Sequence, residues 1–463
     1  MQLKPREVKS LKLALTAATA TLLSCGSVAQ AVEAKSPTEM PNGTAEFQSP
    51  EQSLDHANLG FFSRSYDSVK NWAKYSGEVG LLYYGEVGRV RAVEPSVLLT
   101  AQFSGDRKWT NHLTIDTLTG ASPNGAVPSR NAQTFTGPSG NSSYVSVPGE
   151  APVDKSFHDT RFAYSTAWSQ PVGERYEYSV GGGLSSEYDF SSLSVNASGS
   201  RYFNTKNTKL SVGASLELDS SDPVGGAPVG FSTMAGKSVK SGAQSKTVSD
   251  FLVGVSQVIS RRLIMQTNYS FGKSSGYMND PYKIISEVTP DGSPTAGDVT
   301  GTNFYETRPD ARSKNSVYVS AKYHLISAGI VTGAYRYFWD SWGMTSHTLS
   351  AEYEIPVTVK WRVGADVRYY KQNRADFYRA FVVQGQALPS FASSDYRLGD
   401  MDAYTLGLKL SKKINNERND ISLHLQYYEQ VPDTKAAGAF GSLAGLEIAP
   451  TVKALMAKVI CSF

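Results

Sequence analysis

The sequence predicts an all-β protein, a transmembrane antiparallel β-barrel of about sixteen strands with long loops at one end and short turns at the other. Three observations predict it. Apolar and polar residues alternate with period two through segments of about ten residues or more, the connections alternate between short and long, and the last segment alternates up to a terminal aromatic residue, Phe463.

Alternation is plainest at 361–370, where Trp361, Val363, Ala365, Val367 and Tyr369 oppose Arg362, Gly364, Asp366, Arg368 and Tyr370. Leu210, Val212, Ala214, Leu216 and Leu218 likewise oppose Ser211, Gly213, Ser215, Glu217 and Asp219, and Tyr404, Leu406, Leu408 and Leu410 oppose Thr405, Gly407, Lys409 and Ser411. Successive side chains of a strand point to opposite faces, so each segment has one greasy face and one polar face. Such segments lie near 76–85, 88–103, 107–117, 157–170, 175–188, 191–203, 208–219, 247–260, 262–275, 313–325, 329–340, 346–356, 359–372, 401–413, 418–430 and 451–463. A soluble sandwich, whose strands average about 5–6 residues, fits these lengths poorly.

Parity is an independent check. Every even-to-odd connection is short, as at Ser104-Gly105-Asp106 and Asn204-Thr205-Lys206-Asn207, whereas the long ones, near 118–156, 220–246, 276–312, 373–400 and 431–450, are all odd-to-even. A bacterial outer-membrane barrel has this pattern when both termini are periplasmic. Tyr83, Tyr84, Trp109, Trp168, Tyr188, Tyr202, Phe203, Tyr337, Trp339, Trp342, Tyr369, Tyr370, Tyr427 and Tyr428 lie near strand ends, as interfacial aromatic girdles do. In the last segment Leu455, Ala457, Val459, Cys461 and Phe463 share a face. An alternating strand ending in an aromatic residue resembles the signal read by the barrel-assembly machinery, a role this places on Phe463.

Ahead of the barrel, residues 1–31 read as a signal peptide, with a basic start (Lys4, Arg6, Lys9, Lys12), an apolar run from Leu13 to Leu23 and the cleavage site Ala29-Gln30-Ala31. Cys25 follows Leu22-Leu23-Ser24, a loose lipoprotein signature, against which stands the cleaner Ala-x-Ala site. Residues 32–75 are a polar periplasmic lead-in or a plug segment, and 76–463 the barrel. Cleavage removes four basic residues and one acidic one, leaving 41 of each and no basic excess for a nucleic-acid partner. No later stretch approaches the roughly 18 consecutive apolar residues of a transmembrane helix. With six His, two Cys and no HExxH or paired CxxC, neither a metal nor a cofactor is implied.

Six loop and strand motifs occur in order: Leu81-Leu82-Tyr83-Tyr84, Asp116-Thr117-Leu118-Thr119-Gly120-Ala121-Ser122-Pro123-Asn124-Gly125-Ala126, Ser221-Asp222-Pro223-Val224-Gly225-Gly226, Gly276-Tyr277-Met278-Asn279-Asp280-Pro281-Tyr282-Lys283, Arg308-Pro309-Asp310-Ala311-Arg312 and Ala375-Asp376-Phe377-Tyr378-Arg379. On these the chain resembles the bacterial domain-of-unknown-function 3570 family from about Ser76 onward. The resemblance implies an uncharacterised outer-membrane barrel with no catalytic set to carry over. It also sets such genes beside exported flavin-transfer and thioredoxin-like systems.

The chemistry readable in the barrel is charge. Arg336, Asp340, Glu352, Glu354, Arg362, Asp366 and Arg368 fall on the inward phase of three consecutive strands, the candidate pore lining. They form either a transverse field across a water-filled pore or a self-neutralising ladder. Arg308, Asp310, Arg312, Asp376 and Arg379 are candidates for a loop constriction, as are Asp395, Arg397, Asp400 and Asp402. The expected function is a porin-like or substrate-selective channel for small polar solutes, in contact with outer-membrane lipid and lipopolysaccharide. The alternative is a non-conducting scaffold or surface-binding barrel with an exported redox partner. Third is a barrel-embedded hydrolase; His112, His324, His347 and His424 offer bases, but no spacing selects one, and the chain is expected not to be an enzyme. Trimers are common among barrels of this size, so a homotrimer fits the chain.

Overall fold

The computed structural model describes residues 73–120, 123–136, 143–414, 419–433 and 438–463. The signal peptide, Cys25 and nearly all of the lead-in lie outside the described residues. Sixteen strands form one closed antiparallel barrel: β1 (Ala73–Glu86), β2 (Arg91–Phe103), β3 (Lys108–Thr119), β4 (His158–Val172), β5 (Tyr176–Ser186), β6 (Phe190–Phe203), β7 (Thr208–Ser221), β8 (Gln244–Ser260), β9 (Leu263–Gly276), β10 (Ala311–His324), β11 (Ile330–Asp340), β12 (Thr345–Pro356), β13 (Trp361–Asn373), β14 (Met401–Ile414), β15 (Asn419–Pro432) and β16 (Val452–Ser462).

Each strand pairs with its sequence neighbours, and β1 closes on β16 with Glu78 opposite Ser462 and Glu86 opposite Ala454. Beyond β16, Phe463 exchanges two backbone hydrogen bonds with Gly77, at 3.2 and 3.3 Å, so the final residue extends the seam. The sixteen expected segments match these strands one for one, with ends shifted by up to three residues. The barrel begins earlier than expected: Ala73, Lys74 and Tyr75 pair with Phe103, Gln102 and Ala101 of β2, although Lys74 makes this stretch look like part of the polar lead-in.

Alternation sorts the side chains by face. Leu406, Leu408, Leu455 and Leu193 stand 57–66% exposed on the outside, and the outer phases of β7, β13 and β15 are similarly apolar. In water such a surface would far exceed the few hundred Å² of contiguous apolar patch usual for a soluble monomer; hydrocarbon removes that cost. The inner phase carries Ser, Gly, Asn, Gln and paired charges, including Ser211, Gly213 and Ser215 on β7 and Gln266 and Asn268 on β9. Of the aromatic residues near strand ends, Tyr84, Tyr202, Tyr370 and Tyr428 face inward and Trp342 is buried under loops, so these five leave the expected girdle.

Five long loops emerge at one end, at 120–157, 222–243, 277–310, 374–400 and 433–451, and they are not independent. Loop 277–310 is their hub. Its hairpin, Ile284–Val288 with Val299–Tyr305, takes up Val382–Val383 of loop 374–400 as a parallel third strand. It also accepts or donates backbone hydrogen bonds to Asn124 (2.9 Å), Phe231 (3.0 Å) and Ser442 (2.9 Å), one in each remaining loop. Phe135, Ile285, Val127, Val288 and Leu443, contributed by three of the loops, are fully buried. At about 1.5–3 kcal/mol for each such side chain, this shared core makes the loops a cap with cohesion of its own.

Candidate functional site

The inner wall carries opposite charges on neighbouring strands, and they pair. Across β12 to β15, Lys409 Nζ lies 3.2 Å from Glu354 and 3.6 Å from Glu352, and Arg362 lies 3.6 Å from both Glu354 and Asp420. Asp366 lies 2.6 Å from His424 Nε2 and accepts Gln426 Nε2 at 2.9 Å. Elsewhere on the wall Arg161 meets Asp116, Lys209 meets Glu177 and Lys246 meets Asp219, at 2.8–3.5 Å. Arg336 sits over the Tyr318 ring, and Arg368 stands on the same phase in register with Thr405. Within the candidate lining, Glu352, Glu354, Arg362 and Asp366 thus join one cross-strand ladder. Its further members, Lys409, Asp420, His424 and Gln426, were visible as the same inward phase continued onto β14 and β15.

Asp340 is set apart from that ladder. It ends β11 at the loop mouth, where it accepts the backbone N–H groups of Trp342 and Met344 at 2.9 Å and pairs with Arg312. Arg312 in turn lies 4.3 Å from the Trp342 ring centroid, and Trp342 packs edge-on against Phe377. Asp340 and Arg312 together hold the β11–β12 turn to β10, and Trp342 ties that turn to loop 374–400.

A second charge network knots the loops of the cap to one another. Arg308 contacts Glu306 at 2.7 Å and Asp395 at 3.0 Å, Arg397 contacts Asp395 at 2.6 Å and Asp280 at 3.0 Å, and Ser393 Oγ donates to Glu306. Lys283 donates to the Pro123 carbonyl, so loops 120–157, 277–310 and 374–400 meet here. Burial pushes the Glu306 carboxyl up to about 7, despite the Arg308 guanidinium beside it. Burial also opposes ionisation of Asp395, but the Arg397, Lys283 and Arg308 cations hold that carboxyl well below the usual range. The knot is buried and internally paired, an arrangement that fixes loop positions.

From this knot the short turn Tyr396–Leu398, capped by Asp395, dips to the wall. Tyr396 packs with Tyr84 of β1, Ala403 of β14, Tyr428 of β15 and Met456 of β16, and Arg89 and Lys283 each lie 5.9 Å from its ring. Gln372 of β13 holds the turn by donating to the Arg397 and Gly399 carbonyls, both at 2.9 Å. Loop 374–400 therefore narrows the mouth on the β13–β16–β1 side.

The remaining constriction candidates lie elsewhere. Asp400 answers Arg374, and Asp402 lies on β14, where it pairs with Lys371 and accepts Tyr369 Oη. Asp310, Asp376 and Arg379 are exposed, and Arg379 Nη1 donates to the Asp376 and Tyr378 carbonyls. The structure brings Arg308, Asp395 and Arg397 together and leaves these five apart. Glu306, Asp280 and Lys283 were missed as site residues, although two of them lie in the motif Asn279-Asp280-Pro281-Tyr282-Lys283. Among the histidines, His347 faces outward and meets Tyr335 Oη at 2.7 Å, and His112 lies 3.4 Å from Thr114. Among the described residues no cluster of His, Cys, Asp and Glu could hold a metal ion.

The model of a family described as protein of unknown function (DUF3570) matches residues 54–463. The chain belongs to that family. The match starts upstream of Ser76 and so takes in part of the segment read as a lead-in. No curated protein matches the sequence. Among solved structures the chain is similar to a bacterial polysaccharide outer membrane secretin, at 9% identity and a TM-score of 0.43, over 86% of this chain and 99% of that one. It is also similar to a mutant of the ferric enterobactin receptor of Pseudomonas aeruginosa (9% identity, TM-score 0.37, 77% of this chain and 53% of that one). The siderophore receptor PirA of Acinetobacter baumannii matches at 8% identity and a TM-score of 0.38, over 79% of this chain and 53% of that one. The chain spans about half the length of these two receptors.

Proposed function

We propose that the protein is a substrate-selective channel for small polar solutes in the bacterial outer membrane, with both termini periplasmic and the loop cap as its outer constriction. The observation that carries this reading is the polar, charge-paired inner wall of a sixteen-stranded closed barrel. Side chains alone fill a barrel of about eight strands, whereas one of about sixteen leaves room for water along its axis. The apolar outer face suits lipid and lipopolysaccharide. Cross-strand pairing of the wall charges favours solutes that exchange hydrogen bonds with a wet wall over solutes driven by a net field.

Purified, heat-modifiable protein in a planar bilayer is the test. Discrete conductance steps are expected, small for a barrel of this strand number because Tyr396 and its turn occupy one side of the mouth. Persistent silence of folded protein would overturn the reading in favour of a scaffold barrel. Lys409→Glu, which reverses the cation shared by Glu352 and Glu354, is expected to shift the reversal potential toward cation selectivity.

A further inference from the structure

The cap holds a cleft of about 480 Å³ between loop 374–400 and loop 433–451. Its size is within the roughly 300–1,000 Å³ of small-molecule sites. Phe381 and Phe440, edge to face with centroids 5.7 Å apart, form an apolar wall. Arg374 and Arg379 also line it, as does Gln386, and no acidic residue among the described residues does.

The two arginines differ. Arg374 is answered by Asp400, at 3.7 Å. Arg379 engages only the Asp376 and Tyr378 carbonyls through Nη1, and it has no carboxylate partner among the described residues. Those two carbonyls steady the guanidinium and leave Nε and Nη2 for an incoming anion, the edge that a carboxylate or phosphate meets with two parallel hydrogen bonds.

From this arrangement we propose that the cleft binds a small anionic solute carrying an aromatic ring, with the anion on Arg379, supported by Arg374, and the ring against Phe381 and Phe440. The site lies on the cap and does not depend on conduction through the barrel.

Isothermal titration of the purified full chain with phenyl phosphate tests it, with inorganic phosphate and benzyl alcohol as the partial probes. Saturable binding of phenyl phosphate is expected, at least tenfold tighter than either partial probe. Arg379→Gln and Phe440→Leu are each expected to weaken it at least fivefold while heat-modifiability is retained. No saturable binding, or binding unchanged in Arg379→Gln, would overturn the proposal. Inorganic phosphate binding as tightly as phenyl phosphate would also overturn it, because the site would then read phosphate alone, as from a lipopolysaccharide headgroup. Silence in the bilayer with intact phenyl phosphate binding would remove the channel reading and leave this one standing.

Discussion

Asp366 reaches His424 and Gln426 on β15 by lying across β14 at Gly407, where a Cβ would collide with its Oδ1. Gly407→Ala is therefore expected to displace the carboxylate and leave two half-buried donors without their acceptor, at a cost of about 1–3 kcal/mol in unfolding free energy. A double-mutant cycle with Asp366→Asn should return a coupling of similar size; additive effects would refute the crossing. Glu306 makes the cap sensitive to pH. Its folded value, about 7, lies above the ordinary 4.5, so its contribution to cap stability is full below about 4.5 and is lost as pH rises through 7. Hydrogen exchange at Asp280 and Ser393 is expected to show a tighter cap at pH 5 than at pH 8 once intrinsic rates are divided out. Glu306→Gln should flatten that difference, and an unchanged slope would acquit Glu306. The sequence marks which residues carry charge and which phase they occupy, but partner choice depends on register between strands and on loops brought together from distant segments. That is why the charges of the inner wall were legible as a set while the Glu306, Arg308 and Asp395 knot was not.

Strands and loops differed in how they could be read because they bury different things. A membrane strand has lipid on one side and lumen on the other, so period two runs through its whole length, and all sixteen strands are visible in the sequence. Cap elements are two to seven residues long and buried by one another, so they show only brief apolar runs such as Ile284-Ile285 and Val382-Val383. The parallel pairing of Glu287 with Val382 joins segments far apart in the chain and leaves no local trace. Ile285→Asp puts an unpaired charge at a fully buried position, and it is expected to open loops 277–310 and 374–400 to protease together. Barrel heat-modifiability should survive; cleavage of only one of the two loops would argue against their shared sheet.

At the scale of the molecule, closure depends on the seam between β1 and β16. Deleting Phe463 removes both backbone bonds to Gly77 and shortens the seam at one end. Slower assembly into liposomes and a lower temperature of heat-modification are expected, with the cap unaffected because it lies at the opposite end. Equal folding rates for the truncated and full chains would deny the terminal residue that role. With the cap outside the cell, as proposed above, the hub position of loop 277–310 also bears on how the protein would be recognised. Side chains from widely separated segments share one patch on the cap, so its epitopes are discontinuous. Antibodies raised against the folded barrel should therefore fail against the boiled chain and against peptides copied from any single loop, and a surface variant in one loop should alter recognition nominally assigned to another.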